Sequence, residues 1–243
     1  MIVEYKIKKA ASEFRTRHGI GAKDQINFKS LLQKLNIITV FKPISSDLSG
    51  IGFKVDTNYF ILVNSNQTVG RQNFTIAHEL YHLFIEDKIN KILCTIESVS
   101  HSSQKEKRAE LFASYLLIPE EGLLEAIPRE ELSLNKISLQ TILNIEHGFQ
   151  CSRKAILIRL KYMGLIDNNY FDMFQHNITS GAVALGYDKK LYGSGNHDLI
   201  IGDYAVIAHK LYNHEVISES NLISYLHVIG IDVKDIDLNV KVH

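Results

Sequence analysis

Two histidines four residues apart, with a glutamate directly after the first, are the side chains in this sequence best suited to metal chemistry. They are His78, Glu79 and His82, in the pentapeptide HELYH. On a helix, residues four apart project from the same face, so both imidazoles can reach one tetrahedral ion at about 2.0–2.1 Å. Glu79 then lies beside the ion and can accept a proton from a water molecule.

The residues around this pentapeptide predict a buried helix. Apolar side chains run through residues 69–84, about 16 positions, and Gly70 stands near the start. Burying His78, Glu79 and His82 is costly unless they are hydrogen-bonded or bind a metal. Two interpretations follow from the residues alone: the histidines are metal ligands, or they are hydrogen-bonded histidines of the core or the surface.

A third ligand is expected from a second helix. Residues 106–119 form an amphipathic pattern that stops near Pro119. Glu106 and Glu110 are four apart and therefore share a face, so one carboxylate can bind the metal while the other accepts an imidazole N–H and orients a histidine. The alternative is that both belong to a solvated, charged helix face together with their basic neighbours.

Two segments resemble the ImmA/IrrE family of metallopeptidase-like proteins. The first is RQNFTIAHELYHL at 71–83 and the second is E-x-x-A-x-x-F-A-x-x-L-L-x-P at 106–119. Residues 48–50 and 61–64 are similar to strands of that family, and the resemblance covers about residues 1–166.

The resemblance implies a zinc-dependent endopeptidase of the HExxH type. In it, His78, His82 and Glu106 hold Zn2+, Glu79 is the catalytic base, and Glu110 orients a histidine. Proteins of this family often cleave or inactivate a helix-turn-helix repressor of the XRE type, in stress responses and mobile elements. A protein substrate, in particular such a repressor, is therefore the implied partner.

The sequence departs from the family pattern at two positions. Tyr81 stands where the family generally has glycine, and it either packs into the core or borders the site and donates to an oxyanion. Glu110 is longer than the Asn or Asp usual at its position. It can therefore orient a histidine less directly, or compete with Glu106 for the ion.

The overall pattern predicts an α+β fold. A mainly helical, zincin-like peptidase domain with a small antiparallel or mixed sheet is expected over 1–128, a helical lobe similar to a helix-turn-helix over 129–166, and a mostly helical region over 167–243. Helices are predicted over 4–18, 28–35, 69–84, 203–212 and 218–229, and strands over 37–41, 50–55 and 59–63. Residues 182–185 are predicted to be a short strand pair or an irregular loop.

Two segments have open functional interpretations. Residues 48–55 are the candidate edge strand beside the cleft, able to pair with an extended substrate; otherwise they are an ordinary sheet edge. In the lobe, two short helices are expected around Gly148, with Ser152 capping the second. The second helix carries four basic residues and is either a DNA-facing helix or a structural one. They are Arg153, Lys154, Arg159 and Lys161.

Composition favours a cytoplasmic protein. The 243 residues have a formal net charge of zero and a pI of about 7.2, so no global field draws the protein to nucleic acid or membrane. The cysteines Cys94 and Cys151 form no CxxC motif and are expected to be reduced thiols. We expect no signal peptide and no membrane span, because no apolar run reaches about 18 residues.

Two rival functions use the same residues. In one, the site is structural or vestigial, Tyr81 blocks the cleft, and a catalytically weak or inactive regulatory protein binds DNA or a repressor or toxin partner. In the other, the same ligands serve a zinc hydrolase that acts on a small amide.

Overall fold

A four-stranded mixed sheet supports the helices that carry the candidate ligands. The computed structural model describes residues 2–45, 47–86, 104–134, 136–232 and 234. In chain order the elements are α1 (Ile2–Arg17), α2 (Phe28–Lys34), β1 (Ile37–Lys42), β2 (Gly50–Val55), β3 (Asn58–Asn64), α3 (Val69–Phe84), α4 (Gln104–Leu117), α5 (Glu120–Ala126), α6 (Arg129–Leu134), α7 (Leu139–Phe149), α8 (Arg153–Tyr162), α9 (Asn168–Phe174), α10 (Ile178–Ala184), a 3-10 turn (Lys189–Tyr192), β4 (Ile200–Ile201), α11 (Tyr204–Asn213) and α12 (Glu219–Val228). The predicted α+β class, with a small mixed sheet, is confirmed.

The strand order is β2-β3-β1-β4. β1 and β3 are parallel, with Ile37 opposite Tyr59. β2 and β3 form an antiparallel hairpin, and Asp56 in its turn takes a positive φ of 53°. β4 pairs antiparallel with the outer side of β1, although it lies far along the chain. Within the described residues, β2 is therefore an edge strand, as predicted for residues 48–55.

Glycines on β2 let α3 come close to this edge of the sheet. The hairpin register places Gly50 opposite Val63 and Gly52 opposite Ile61, and both partners are buried. A Cβ atom at Gly50 would lie 2.5 Å from Thr75 Cγ2, and one at Gly52 would lie 2.9 Å from Glu79 Oε2. No side chain fits there, so α3 can lie directly against the edge strand.

Helices α3 and α4 have local reasons for their limits. Thr68 begins α3 by accepting a hydrogen bond from the Arg71 N–H. α4 ends at Leu117, two residues before Pro119, which cannot continue a helix. At its C-terminal end α4 is tied to α1, because the buried Arg15 guanidinium donates to the Leu116 carbonyl at 2.6 Å.

The helical lobe differs from its prediction in one detail. Gly148 lies inside α7, and the break between the two helices comes at Gln150, whose backbone is left-handed (φ 51°, ψ 47°). The two helices expected around Gly148 are thus present, but the break between them comes two residues after it. The predicted cap is confirmed, because Ser152 accepts from the Ala155 N–H at 3.3 Å.

A buried ion pair holds the lobe together. The Arg153 guanidinium makes two hydrogen bonds to the Glu146 carboxylate, and the Nη2–Oε2 distance is 3.0 Å. Both side chains are at most 2% exposed. Tyr192, in the 3-10 turn, donates its hydroxyl to Glu146 Oε2 at 2.6 Å. The pair therefore also fastens that turn to the lobe.

The C-terminal region contains the largest errors of prediction. Residues 182–185 were expected to be extended or irregular, but α10 runs through Ala184. β4 was not predicted. The two predicted helices near the C-terminal end are confirmed as α11 and α12. They share a small separate apolar cluster around Ala208, Leu222 and Leu226.

The main core runs across the predicted domain boundaries. Ile142 and Ile156 of the lobe belong to the same buried cluster as Ile76 of α3, and Ile201 of β4 belongs to it too. The division into 1–128, 129–166 and 167–243 stays a prediction.

No helix in the described part of the chain has the length and apolar character needed to cross a bilayer. Cys151 is a buried free thiol, and burial raises its pKa; Cys94 lies outside the described residues.

The ion pair between Glu146 and Arg153 gives a stability prediction. Glu146→Ala should lower the free energy of unfolding by about 3–5 kcal/mol, because it leaves a buried guanidinium unpaired. Urea unfolding followed by circular dichroism measures this change. As a control, Glu13→Ala removes an exposed partner of Lys9 (3.8 Å) and should cost less than about 1 kcal/mol. Equal losses for the two variants would contradict the prediction.

Candidate metal centre

Three potential ligands from two helices meet at one point. His78 and His82 project from α3 and Glu106 from the first turn of α4. His78 Nε2 lies 3.1 Å from Glu106 Oε2 and 3.2 Å from His82 Nε2, and His82 Nε2 lies 3.6 Å from Glu106 Oε1. In the described part of the chain, these residues form a group of metal-ligating type whose donor atoms all lie within 4.8 Å of one another.

The separations suit a tetrahedral ion. Ligand atoms bound at about 2.0–2.1 Å in tetrahedral geometry lie about 3.3–3.4 Å apart. The distance between the two imidazole nitrogens is close to that value, and so is the distance from each nitrogen to a Glu106 oxygen, Oε2 for His78 and Oε1 for His82. Two imidazole nitrogens and one carboxylate oxygen are also a donor set found in catalytic zinc sites, where a further position remains for water. The residues present therefore fit a divalent cation such as zinc.

Glu86 is a contact that the sequence interpretation missed. It lies four residues after His82, and its Oε2 accepts from His82 Nδ1 at 2.9 Å, which leaves Nε2 to face the ligand cluster. Its Oε1 lies 2.7 Å from the Lys105 ammonium group, next to Glu106. Glu86 thus links the end of α3 to the start of α4. The same four-residue spacing that identified His78 and His82 was the available signal.

Electrostatics at the cluster follow from these contacts. Burial lowers the pKa of His82, but hydrogen bonds to Glu106 and Glu86 outweigh it and raise that pKa to about 9. Hydrogen bonds from His78 and His82 hold the pKa of Glu106 well below its usual range. The carboxylates therefore favour positive charge at this point, whether it is carried by imidazole protons or by a cation.

Glu79 is buried beside the ligands, under the edge strand. Its Oε2 accepts the backbone N–H of Gly52 at 2.7 Å, which fixes the carboxylate against β2. Burial raises the pKa of Glu79, although the charges of His78 and His82 and the Gly52 hydrogen bond oppose the shift. A positioned carboxylate with a raised pKa is suited to transferring a proton.

Tyr81 lies in the core. The residue is 4% exposed, its ring centroid is 5.7 Å from that of Phe112, and it meets the His82 ring edge-on at 5.5 Å. These are the contacts of a packed side chain that supports His82 from behind. They favour the packing alternative over a role in binding an oxyanion.

Glu110 does not join the ligand cluster. It is exposed, one turn beyond Glu106, and among the described residues His82 Nδ1 donates to Glu86 instead. Desolvation lowers the pKa of Arg71 on α3, and the charge of Glu110 partly offsets this effect. The orienting role predicted for Glu110 stays a prediction with no supporting contact.

Comparisons with known proteins identify a family. Residues 32–161 match the model of the IrrE N-terminal-like domain of peptidase M78. Over 67 residues the chain is 36% identical to the metallopeptidase ImmA of Bacillus subtilis (strain 168), which is 28% of this chain and 40% of that protein. The chain thus matches less than half of that relative's length.

One solved structure is also similar to part of this chain. A transcriptional regulator of Mycobacterium tuberculosis matches with a TM-score of 0.45 and 22% identity, over 64% of this chain and 46% of the other. The family model, in contrast, covers 130 of the 243 residues (32–161), which is more than half. The chain therefore belongs to the ImmA/IrrE family of metallopeptidases.

Proposed function

We propose that this protein is a zinc-dependent endopeptidase that cleaves a protein partner. The observation that carries the proposal is the convergence of His78, His82 and Glu106, with Glu79 buried beside them. Membership of a metallopeptidase family supports the same reaction type.

The ion would be held by the two Nε2 atoms and the Glu106 carboxylate. When bound, it supplies Lewis acidity, making a water molecule nucleophilic at neutral pH and polarising a peptide carbonyl. Glu86 contributes by holding His82 through Nδ1, which fixes the tautomer and the ring orientation. Tyr81 contributes by packing behind the same ring.

Glu79 performs the proton transfers. Its carboxylate accepts a proton from the attacking water and then gives it to the leaving amine, so it must alternate between charged and neutral forms. Burial makes the neutral form accessible, and the Gly52 N–H keeps one oxygen in place throughout. The side chain therefore needs no rearrangement between the two transfers.

The edge strand suits an extended polypeptide. The Ser49 carbonyl accepts from the Asn64 N–H, so residues of β2 alternate between pairing with β3 and pointing outwards. Gly52 is one of the outward residues, because its N–H is directed at Glu79. A substrate strand added along this edge would pass beside Glu79. This arrangement favours a protein substrate over a small amide.

The nature of the partner follows from the family resemblance alone. An XRE-type helix-turn-helix repressor in the cytoplasm, cleaved in a stress or mobile-element response, is the partner we propose. Direct DNA binding by α8 is less well supported, because Arg153 is paired with Glu146 in the core and Arg159 is buried against the Tyr115 ring at 4.0 Å. Two of the four basic residues are thus turned inwards.

Glu79→Gln separates catalysis from metal binding. We expect it to retain zinc, because Glu79 is not a ligand, and to reduce cleavage by at least about 100-fold, because an amide cannot accept the proton. Cleavage is measured by mass spectrometry on a proteome-derived peptide library, and then on a co-expressed XRE-type repressor. Zinc content is measured by elemental mass spectrometry.

Glu13→Gln, a charge-matched change on the exposed face of α1, is the control and should cleave at the normal rate. Undiminished cleavage by Glu79→Gln would exclude this mechanism. A zinc-loaded wild-type protein that cleaves neither the library nor the repressor would favour the rival regulatory function.

Glu106 and Glu110 offer a matched test of the ligand set. Glu106→Gln should weaken Zn2+ binding by roughly 100-fold or more, since a charged ligand is lost. Glu110→Gln on the same helix should change it less than about threefold, because Glu110 lies outside the cluster. Competition with a chromophoric chelator measures both affinities. The reverse order of effects would show that Glu110 is the ligand.

Glu86→Gln tests the link between α3 and α4. Losing the carboxylate that accepts from His82 Nδ1 should weaken Zn2+ binding by about 10–100-fold without abolishing it. Glu86→Ala should be at least as severe. If both variants bind zinc with unchanged affinity, the contact has no part in holding the site.

A further inference from the structure

Arg71 lies on the same face of α3 as the metal ligands. It precedes His78 by seven residues, which is about 20° short of two full turns and about 10 Å along the helix axis. Its side chain reaches solvent. The guanidinium donates to Ser49 Oγ at 3.3 Å and lies 5.5 Å from the centre of the Phe74 ring. Arg71 therefore lies beside the start of the edge strand, about two helical turns before His78.

The edge strand and α3 run side by side in the same direction. Ser49 contacts Arg71, the Cβ position of Gly50 abuts Thr75, and Gly52 is hydrogen-bonded to Glu79. An extended chain lying along β2 therefore passes Glu79 and Arg71 in turn. Gly52, which contacts Glu79, and Ser49, which contacts Arg71, are three residues apart on the edge strand, so their separation corresponds to about three residues of an extended substrate.

The direction of the substrate follows from strand pairing. Antiparallel pairs are the more stable kind, and a chain antiparallel to β2 runs from the Gly52 end towards the Ser49 end. Its segment beside Arg71 then lies on the C-terminal side of the bond that is cleaved. A substrate running parallel to β2 would instead place Arg71 beside the residues on the N-terminal side of the cleaved bond.

Within the described residues, the charge of Arg71 is offset only by a carboxylate at longer range. Among the described residues it forms no ion pair, and the carboxylate that acts on it, Glu110 of α4, does so from beyond ion-pairing distance. The stack on Phe74 and the contact with Ser49 restrict the guanidinium while leaving N–H donors for a ligand. A planar guanidinium held in this way suits a carboxylate, which it can bind with two parallel hydrogen bonds.

We propose that Arg71 determines specificity, by binding an aspartate or glutamate side chain of the substrate about three residues to the C-terminal side of the cleaved bond. The inference rests on the proposed peptidase function and adds a substrate class to it. Glu110 tempers the preference, because its negative charge opposes the approach of a substrate carboxylate.

The test is a cleavage-site profile on a proteome-derived peptide library with zinc-loaded protein. Wild type should enrich Asp and Glu at the third residue after the cleaved bond. Arg71→Gln should lower the ratio of acidic to neutral residues there by about tenfold, and Arg71→Glu should select Lys and Arg instead. Glu110→Gln should raise the acidic preference. High salt should weaken the wild-type preference, a response that a merely structural arginine would not give.

Lys29→Gln is the matched control, since it neutralises an exposed cation on α2 and should leave the profile unchanged. Thermal unfolding and zinc content verify that the Arg71 variants are folded and loaded. Identical profiles for wild type and Arg71→Gln, or an acidic preference only on the N-terminal side, would overturn the inference while leaving the peptidase intact. Absence of cleavage by wild type would instead overturn the proposed function, and this inference with it.

Discussion

The packing of α3 against α4 is the constraint on which the candidate site depends. Neither helix carries a complete ligand set, so the cluster exists only while the first turn of α4 stays against the second half of α3. Ala109 and Ala113 lie on the same face of α4 as Glu106 and are fully buried, so small side chains allow a close approach. On the other side of α3, Gly50 and Gly52 remove side chains from the edge strand. The candidate site therefore lies between two closely packed surfaces, one formed by alanines of α4 and the other by glycines of β2.

The parts that the sequence predicted well are those with local causes. The apolar run over 69–84 indicated α3, and the segments 50–55 and 59–63 on either side of a short polar turn indicated the two strands of the hairpin. β4 could not be predicted, because two residues carry no period and their partner strand lies far away in the chain. α10 was missed for a different reason: Gly181 within it lowers helix propensity, and neighbouring glycines suggested turns.

Side-chain direction explains the remaining differences at the site. Spacing showed that Glu106 and Glu110 share a face, but one turn of α4 separates a group that faces the imidazoles from one that is exposed. The orienting contact comes from Glu86, beyond the last residue of α3. Likewise, a count of basic residues on α8 could not reveal that Arg153 and Arg159 are buried. The sequence of a helix does not show which of its charged side chains are exposed, because that depends on how the helix packs.

The pairing of Glu86 with Lys105 has a consequence for how such a site can diversify. The chain leaves the ligand cluster at Glu86 and re-enters it at Lys105, with 18 residues between them. Because Glu86 contacts both His82 and Lys105, described residues on either side hold the two helix ends at the ligand cluster. Insertions, deletions or a grafted recognition segment could thus be accepted there while the coordination geometry is inherited unchanged.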